Sequence, residues 1–447
     1  MDTLENRLQK RMHVSLYALL FLTVLLGISV LLEGCTDKCD VTNTYVYYEP
    51  VYTTLDEVRA SVGIQGPQTI NQVGKIYYKD GFMYVNEPGN GIHIIDNQDP
   101  SNPKPRHFLK IPGNFDLAIK NNTLYADSFV DLVAFDISDI TSIHEVNRVE
   151  GIFKNYNVMG FSTDVNCCVI TSWTERENVE IASSDCNVMN TNGLGFMPWR
   201  GGFAMEGDMA ASFSSKAAIA PGTGSGSGLG GSLARFTLSD DHLYMLDGGD
   251  LLTVDVTSEQ NPQTGDRSYL SWDIETIFPY KDNLFVGSSS GMRIMNISNP
   301  ATPSLVSTYQ HVTSCDPVVV DDKYAYVTLR SGTTCQGFTN QLEVIDISNL
   351  SSPTLLKTYP MTNPHGLGLD NKTLFICDGS AGLRAFDASD VNTITDNMLA
   401  HYKNINATDV IPFNNLLLMI GEDGIFQYDY TDPANMKLLS KIEISND

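Results

Sequence analysis

The chain has 447 residues, of which 42% are apolar and 18% charged, so it carries enough apolar material for a large core and wholesale disorder is excluded. It contains 28 Lys and Arg against 53 Asp and Glu, which gives a formal net charge of −25 at pH 7. Such an acidic surface repels phosphate backbones, and no nucleic-acid partner is therefore expected.

The N-terminus combines a basic stretch with an apolar one. Arg7, Lys10 and Arg11 precede an uncharged run from Ser15 to Leu32. This order is typical of an export signal, and a run of this length also just spans a bilayer, so an uncleaved anchor is the alternative. Both interpretations place residues 36–447 outside the cytoplasm.

The residues after this run, Leu32-Glu33-Gly34-Cys35, resemble the lipobox of bacterial lipoproteins. Glu33 departs from that pattern, which usually has a small or apolar residue there. The resemblance implies a signal peptide over residues 1–34 and a lipid anchor on Cys35. An outer-membrane lipoprotein is therefore expected, and display at the cell surface stays open. Residues 35–69 become a linker, in which Thr44–Tyr52 is a candidate closing strand.

One short segment recurs seven times in the rest of the chain. Each copy is strand-like and ends in an acidic or amide residue, which we call the marker. The markers are Asp96, Asp136, Asp255, Asn296, Asp346, Asp387 and Asp429. Most intervals are about 40 residues, which is the period of a propeller blade.

A second series supports the same period. The strand before each marker carries a large apolar residue at nearly constant spacing, namely Tyr84, Tyr125, Tyr244, Phe285, Tyr326, Phe375 and Leu418. Asn- and Asp-rich turns such as Asn121-Asn122 and Asn414-Asn415 favour tight hairpins. The sequence therefore predicts an all-β fold, a β-propeller over residues 70–447 with seven four-stranded blades. An eighth blade inside residues 153–232 stays open.

Residues 342–348, Leu-Glu-Val-Ile-Asp-Ile-Ser, resemble the LVIVD repeat of exported bacterial β-propeller lipoproteins. The resemblance covers roughly residues 70–445 outside the interruption at 153–232. It implies the propeller fold and an extracytoplasmic location, but it implies no defined activity, because most members of that family have none assigned.

The insertion in the repeats and the cysteines indicate where the larger loops lie. Residues 153–232 form a long insertion that contains the Gly- and Ser-rich tract Pro221–Ser232. Trp173 and Trp199 in this insertion are candidate ligand contacts. Cys315 and Cys335 flank one blade at the same rim, and a disulfide between them is predicted. Cys377 falls in a strand and is expected to be a buried thiol.

Charged residues recur near the start of each first strand, nine or ten residues before the large apolar residue. The aligned positions are Gly74, Asp116, Arg235, Glu275, Asp316, His365 and Asp409. Innermost strands of a propeller line its channel, so these side chains would form a ring. Asp116, Glu275, Asp316, His365 and Asp409 are candidate ligands of Ca²⁺ or another divalent cation. The alternative is a set of hydrated strand ends.

These features favour a non-enzymatic binding or assembly module of the cell envelope, with a protein or glycan partner. No catalytic residue is assigned. The alternative is a metal-dependent hydrolase or lactonase that uses the ring of carboxylates and His365.

Overall fold

A computed structural model describes residues 41–154, 157–158, 161–162, 168–183, 203–204, 219–221, 229–231, 234–311, 317–331 and 339–445. The chain divides into two compact units, residues 1–49 with 174–206 and residues 50–173 with 207–447. In the first unit, Tyr47 and Tyr48 pair with Ala204 and Phe203. Among the described residues, no helix is both long enough and apolar enough to span a bilayer.

Three elements precede the repeats: β1 (Val41–Thr54), α1 (Leu55–Ala60) and β2 (Gly63–Gln65). A capping box begins α1, because the Thr54 hydroxyl accepts from the Glu57 N–H and the Glu57 carboxylate accepts from the Thr54 N–H. β1 pairs in a sheet with two strands of the insertion and belongs to no blade, whereas β2 adds to the outer edge of the first blade.

Seven four-stranded antiparallel sheets follow one another along the chain, and the prediction of a seven-bladed β-propeller is confirmed. The bounds of blades 1 and 2 and of the inserted strands are β3 (Ile76–Lys79), β4 (Phe82–Glu87), β5 (Gly91–Asp96), β6 (Lys104–Lys110), then β7 (Leu117–Lys120), β8 (Thr123–Ser128), β9 (Asp131–Asp136), β10 (His144–Val149), and then β11 (Asn157–Val158), β12 (Phe161–Ser162), β13 (Cys168–Ser183), β14 (Phe203–Ala204), β15 (Ile219–Pro221) and β16 (Leu229–Gly231).

Blades 3 to 7 continue without further interruption. Their bounds are β17 (Phe236–Ser239), β18 (His242–Asp247), β19 (Asp250–Asp255), β20 (Gln263–Tyr269), then β21 (Ile274–Tyr280), β22 (Asn283–Ser288), β23 (Gly291–Asn296), β24 (Ser304–Gln310), then β25 (Val318–Val320), β26 (Tyr324–Leu329), β27 (Gln341–Asp346), β28 (Thr354–Pro360), then β29 (Leu367–Asp370), β30 (Thr373–Cys377), β31 (Leu383–Asp387), a 3₁₀ helix (Ile394–Asn397), β32 (Met398–Tyr402), and finally β33 (Ala407–Phe413), β34 (Leu416–Gly421), β35 (Gly424–Asp429) and β36 (Lys437–Glu443).

The first strands of neighbouring blades contact each other and are therefore innermost. We call the four strands of each blade A to D in chain order. Antiparallel pairing places the B–C turns and the D–A connections at one end of the ring, which we call the loop face. The A–B and C–D turns lie at the other end, the marker face.

The markers owe their recurrence to a local hydrogen bond. Each marker side chain accepts from the backbone N–H two residues later, at Gln98, Ser138, Thr257, Ser298, Ser348, Ser389 and Thr431. These bonds fix the C–D turn and explain why only Asp or Asn serves as a marker. Side-chain hydrogen bonds, from Arg106 to Asp96 and from the Ser or Thr hydroxyl two residues later to the other five, hold the pKa of the six marker carboxyls below its usual range, and the backbone N–H bonds add to this.

The large apolar residues of the B strands fill the space between blades. All seven are at most 3% exposed, and they are Tyr84, Tyr125, Tyr244, Phe285, Tyr326, Phe375 and Leu418. In five of the seven tight A–B turns the positive φ falls on Asp or Asn, as expected, but in blade 4 it falls on Lys281 (φ 51°).

The ring closes between blades 7 and 1 without an exchanged strand. The side-chain amides of Asn97 and Gln427 exchange two hydrogen bonds of 2.7 and 2.8 Å between their buried side chains. The Ser445 N–H also donates to the carbonyl of Ile70 (2.8 Å). Side-chain packing and these polar contacts therefore complete the circle.

Part of the insertion returns to the inside of the ring. β15 and β16 pair with each other, and β16 pairs with the inner edge of β3 at Leu229 and Tyr78. β15 also contacts β21 of blade 4, and β16 contacts β33 of blade 7. A hairpin from the Gly- and Ser-rich region thus lies against the A strands that line the channel.

Candidate functional site

The mouth of the channel at the loop face is formed by one position of each A strand, the one opposite the residue that lies two after the large apolar residue of strand B. The pairing registers assign this position to Lys75, Asp116, Arg235, Thr276, Pro317, Gly366 and Asp409. The ring therefore carries two cationic and two acidic side chains. This ring differs from the one predicted from the spacing of residues in the sequence, which contained Gly74, Glu275, Asp316 and His365.

Gly74, Glu275 and His365 each precede the ring position of their blade by one residue. In blade 4 a bulge between Ile274 and Thr276 takes up Glu275. A shift of one residue along a strand turns a side chain to the opposite face, so the correction changes which groups meet in the channel.

Lys75 occupies the position assigned to Gly74, and it neutralises Asp116. Its Nζ lies 2.6 Å from Asp116 Oδ1, and both side chains are at most 2% exposed. The ammonium also donates to the carbonyls of Leu117 (3.0 Å) and Phe236 (3.2 Å). All three donors of the ammonium are thus used, and Lys75 joins blades 1, 2 and 3.

Backbone groups complete the partners of Asp116. Its Oδ2 accepts from the N–H groups of Arg235 (2.7 Å) and Phe236 (2.9 Å), and its Oδ1 accepts from its neighbour Leu117. The neighbouring carboxyl of Asp127 accepts from the N–H groups of Asp116 and Phe115. Burial raises the pKa of Asp127 to about 6, although these two hydrogen bonds favour the ionised form. Asp116 therefore holds the centre of the ring together and has no oxygen left to bind a metal.

Asp409 lies in a different environment. It is 1% exposed, and neither carboxyl oxygen accepts a hydrogen bond of normal geometry. Burial raises the pKa of this carboxyl well above its ordinary value, opposed by the Val410 backbone and by the charge of Lys75. Gly366 makes room for it, since a Cβ there would lie 2.2 Å from Asp409 Oδ1.

His365 and Glu275 lie near a third cation. The Arg330 Nη1 is 2.6 Å from Nδ1 and 3.0 Å from Nε2 of His365. Burial lowers the pKa of Arg330, and the carboxylate of Glu275 opposes this. A guanidinium at the imidazole disfavours a second cation there.

The predicted metal site stays a prediction as a set, because Asp316 lies outside the described residues. Within the described ranges, no group of three or more His, Cys, Asp or Glu side chains lies close enough to hold a metal ion. Cys35, Cys315, Cys335 and Trp199 also lie outside the described residues.

Two other sequence predictions fall on described residues. Cys377 is a free, fully buried cysteine, as predicted, and burial raises the pKa of its thiol. Trp173 lies on β13 and is partly buried.

Exposed aliphatic side chains form a pattern that the sequence analysis did not identify. One residue of each D strand pairs with the residue just before the marker, and around the ring these are Pro105, Glu145, Thr264, Leu305, Leu355, Met398 and Leu438. The last four, on consecutive blades 4 to 7, are 59%, 48%, 48% and 55% exposed. We call them the aliphatic arc. Spacing from the markers would have revealed Leu305, Leu355 and Leu438, which all lie nine residues after a marker, but not Met398, which follows the 3₁₀ helix and lies eleven residues after its marker.

These observations define a seven-bladed β-propeller with a buried Lys75–Asp116 ion pair at its channel mouth and an exposed aliphatic arc at the rim next to its marker face. A model of the LVIVD repeat matches residues 72–105, 280–311 and 314–361, within blades 1, 4 and 5. Together with the seven blades, these matches show a β-propeller that carries LVIVD repeats.

No curated protein sequence matches the chain. Among solved structures, a protein from Lactobacillus plantarum is 11% identical with a TM-score of 0.49, and the match covers 90% of this chain and 98% of that one. The computationally designed Ika8 protein is 10% identical with a TM-score of 0.49, covering 86% and 90%. Saccharomyces cerevisiae Sqt1 is 7% identical with a TM-score of 0.47, covering 86% and 88%. Likeness at this level carries no statement about function.

Proposed function

We propose that the chain is a lipid-anchored β-propeller of the bacterial cell envelope that binds or assembles with a protein or glycan and catalyses no reaction. The aliphatic arc carries this proposal. Four equivalent large apolar side chains stay in solvent on consecutive blades, whereas a propeller needs none of them for its core. Repeated exposure of this kind is typical of an interaction surface.

The charges beside the arc suggest the chemistry of its partner. The C–D turns next to Leu355, Met398 and Leu438 begin with Asp346, Asp387 and Asp429, in a chain of net charge −25. Those carboxylates are bonded to backbone N–H groups and keep their negative charge. A protein partner with apolar and basic residues complements such a surface, and an anionic lipid surface does not.

The channel supports a non-enzymatic role. Lys75 and backbone N–H groups use both oxygens of Asp116, and the hairpin of β15 and β16 lies against the inner strands. A hydrolase or lactonase at this mouth would need carboxylates free for a metal and space for a substrate. Asp409 is the one ring carboxylate without a hydrogen bond of normal geometry, and no group of three or more metal-ligating side chains includes it among the described residues.

The arc is tested by cross-linking intact cells that carry a tagged copy, followed by identification of proteins present in near-equal amounts. We expect a partner that is lost when Leu305, Leu355, Met398 and Leu438 are all replaced by Ser. The matched control is Thr264→Ser at the equivalent position of blade 3. A partner retained by the fourfold variant, or no partner with the wild type, would refute the role of the arc.

The anchor is tested separately by labelling with a radioactive fatty acid. We expect incorporation into the wild type and none into Cys35→Ala, which should also fail to reach the outer-membrane fraction. Equal labelling of both proteins, or of neither, would contradict the lipoprotein proposal.

A further inference from the structure

Two aromatic side chains stand in solvent on the connection between blades 3 and 4. Tyr269 ends β20 and is 68% exposed, and Trp272 follows three residues later and is 80% exposed. This connection joins a D strand to an A strand and therefore lies at the loop face. Large aromatic rings contribute to stability mainly through burial, so the fold gains little from either ring.

The backbone that presents these rings is held firmly. The N–H groups of Leu270 and Ser271 donate to the carbonyl of Gly249, at 2.9 and 3.3 Å. A Cβ at Gly249 would lie 2.7 Å from the ring of Tyr269 and 2.8 Å from the carbonyl of Ser271, so only glycine permits this approach. The connection is thus packed tightly against the B–C turn of blade 3.

The far end of the connection is fixed by Asp273, which is 6% exposed. Its carboxylate accepts from the hydroxyls of Ser271, Ser289 and Ser290, and its carbonyl accepts from the Ser289 N–H (3.0 Å). The backbone that carries Trp272 is therefore fixed before any ligand binds, which limits the conformational entropy lost on binding.

The cationic groups beside the aromatic pair are both ion-paired. Arg267, the nearest cation on β20, is bound by Asp247 (2.9 Å) and Asp250 (2.6 Å). Arg293 on blade 4 faces Asp273 at 3.8 Å. Both guanidinium charges are compensated, so the neighbourhood offers hydroxyl and carboxylate oxygens and repels anions.

The exposed apolar side chains of blades 3 to 7 fall into two groups of different type. The aliphatic ones of blades 4 to 7 lie on D strands near the marker face, whereas the aromatic pair lies at the loop face without an exposed aliphatic neighbour. Protein interfaces combine aromatic with aliphatic contacts. Flat rings bordered only by oxygen groups suit a sugar ring, whose C–H face stacks on the aromatic and whose hydroxyls donate to those oxygens.

We propose that Tyr269 and Trp272 form a stacking site for a neutral carbohydrate at the loop face. The proposal rests on the binding role proposed above and names a second ligand class, at a surface distinct from the aliphatic arc. The acidic surroundings predict that uronic-acid oligosaccharides bind more weakly than neutral ones of equal length.

The test uses the full-length protein in a detergent without a sugar headgroup. Titration calorimetry measures binding of cellotetraose, chitotetraose, maltotetraose and mannotetraose, with tetragalacturonic acid as the charged comparison. The chain has three Trp, so fluorescence of a double variant, Trp173→Phe with Trp199→Phe, reports on Trp272 alone. We expect at least one neutral tetrasaccharide to bind and Trp272→Ala to weaken it at least tenfold. Trp272→Phe should stay within about threefold of the wild type, because a flat ring remains.

Tyr52→Ala is the matched control, since it removes an exposed aromatic side chain outside both proposed surfaces and should leave sugar affinity unchanged. Absence of binding by all four neutral sugars, or binding that Trp272→Ala leaves unchanged, would overturn the proposal. Stronger binding of tetragalacturonic acid would overturn its charge argument. Because Trp272→Ala should not alter the cross-linked partner, failure here is distinguishable from failure of the arc.

Discussion

Replacement of Lys75 by Met tests whether the ion pair at the channel mouth holds blades 1 to 3 together. The substitution keeps an unbranched apolar chain but removes the ammonium that contacts Asp116 Oδ1 and the carbonyls of Leu117 and Phe236. Asp116 would remain buried at 1% exposure with backbone donors only. Breaking one side of a buried ion pair costs about 3–5 kcal/mol, because the other charge stays uncompensated.

The matched control is Lys79→Met on the same strand. Lys79 also contacts a carboxylate, that of Asp80, but Asp80 is 77% exposed. Exposed pairs of this kind contribute about 0–1 kcal/mol. Urea denaturation followed by circular dichroism should therefore show a large loss for Lys75→Met and a small one for Lys79→Met.

A double substitution separates the charge effect from a packing effect. In Lys75→Met with Asp116→Asn, no uncompensated charge remains, so part of the lost stability should return. If Lys75→Met is no less stable than Lys79→Met, or if the double variant is as unstable as the sum of its single changes, the assignment of a stabilising ion pair is wrong.

Three further predictions concern other parts of the ring. Because the pKa of Asp409 is raised, its proton is held in the folded state and lost in the unfolded state, so stability should fall as pH rises above the unfolded pKa of about 4. Asp409→Asn should reduce this decline in urea midpoints between pH 5 and 8. An unchanged pH dependence of the variant would contradict the prediction. The pKa of Asp346 is lowered, so the contribution of its carboxylate to stability is present above about pH 4 and lost on acidification. Asp346→Ala should cost about 0.5–1.5 kcal/mol at pH 7, because it removes the hydrogen bond from the Ser348 N–H, and Asp346→Asn should cost less. Equal losses would refute the role of this hydrogen bond in the turn. Gly366→Ala should cost about 1–3 kcal/mol because its Cβ meets Asp409, whereas Gly63→Ala, which meets open space, should be nearly neutral in the same denaturation assay.

The sequence by itself determined the repeat and hence the fold. The marker position accepts only Asp or Asn because its side chain closes the C–D turn, and the large apolar residue of each B strand recurs because it fills the space between blades. Both requirements are local to one blade, so each copy shows them in its own residues. Seven copies of this kind predicted seven blades, and the structure confirmed them.

Only the tertiary structure decided which residues meet in the channel. Spacings of nine and ten residues are equally compatible with an A strand, but they place opposite faces toward the channel, and the pairing registers select Lys75 and Gly366 over Gly74 and His365. The partners of Asp116 come from three blades that are far apart in sequence. The exposure of Trp272 likewise depends on what surrounds it after folding, because the sequence of a connection does not show whether a ring is covered.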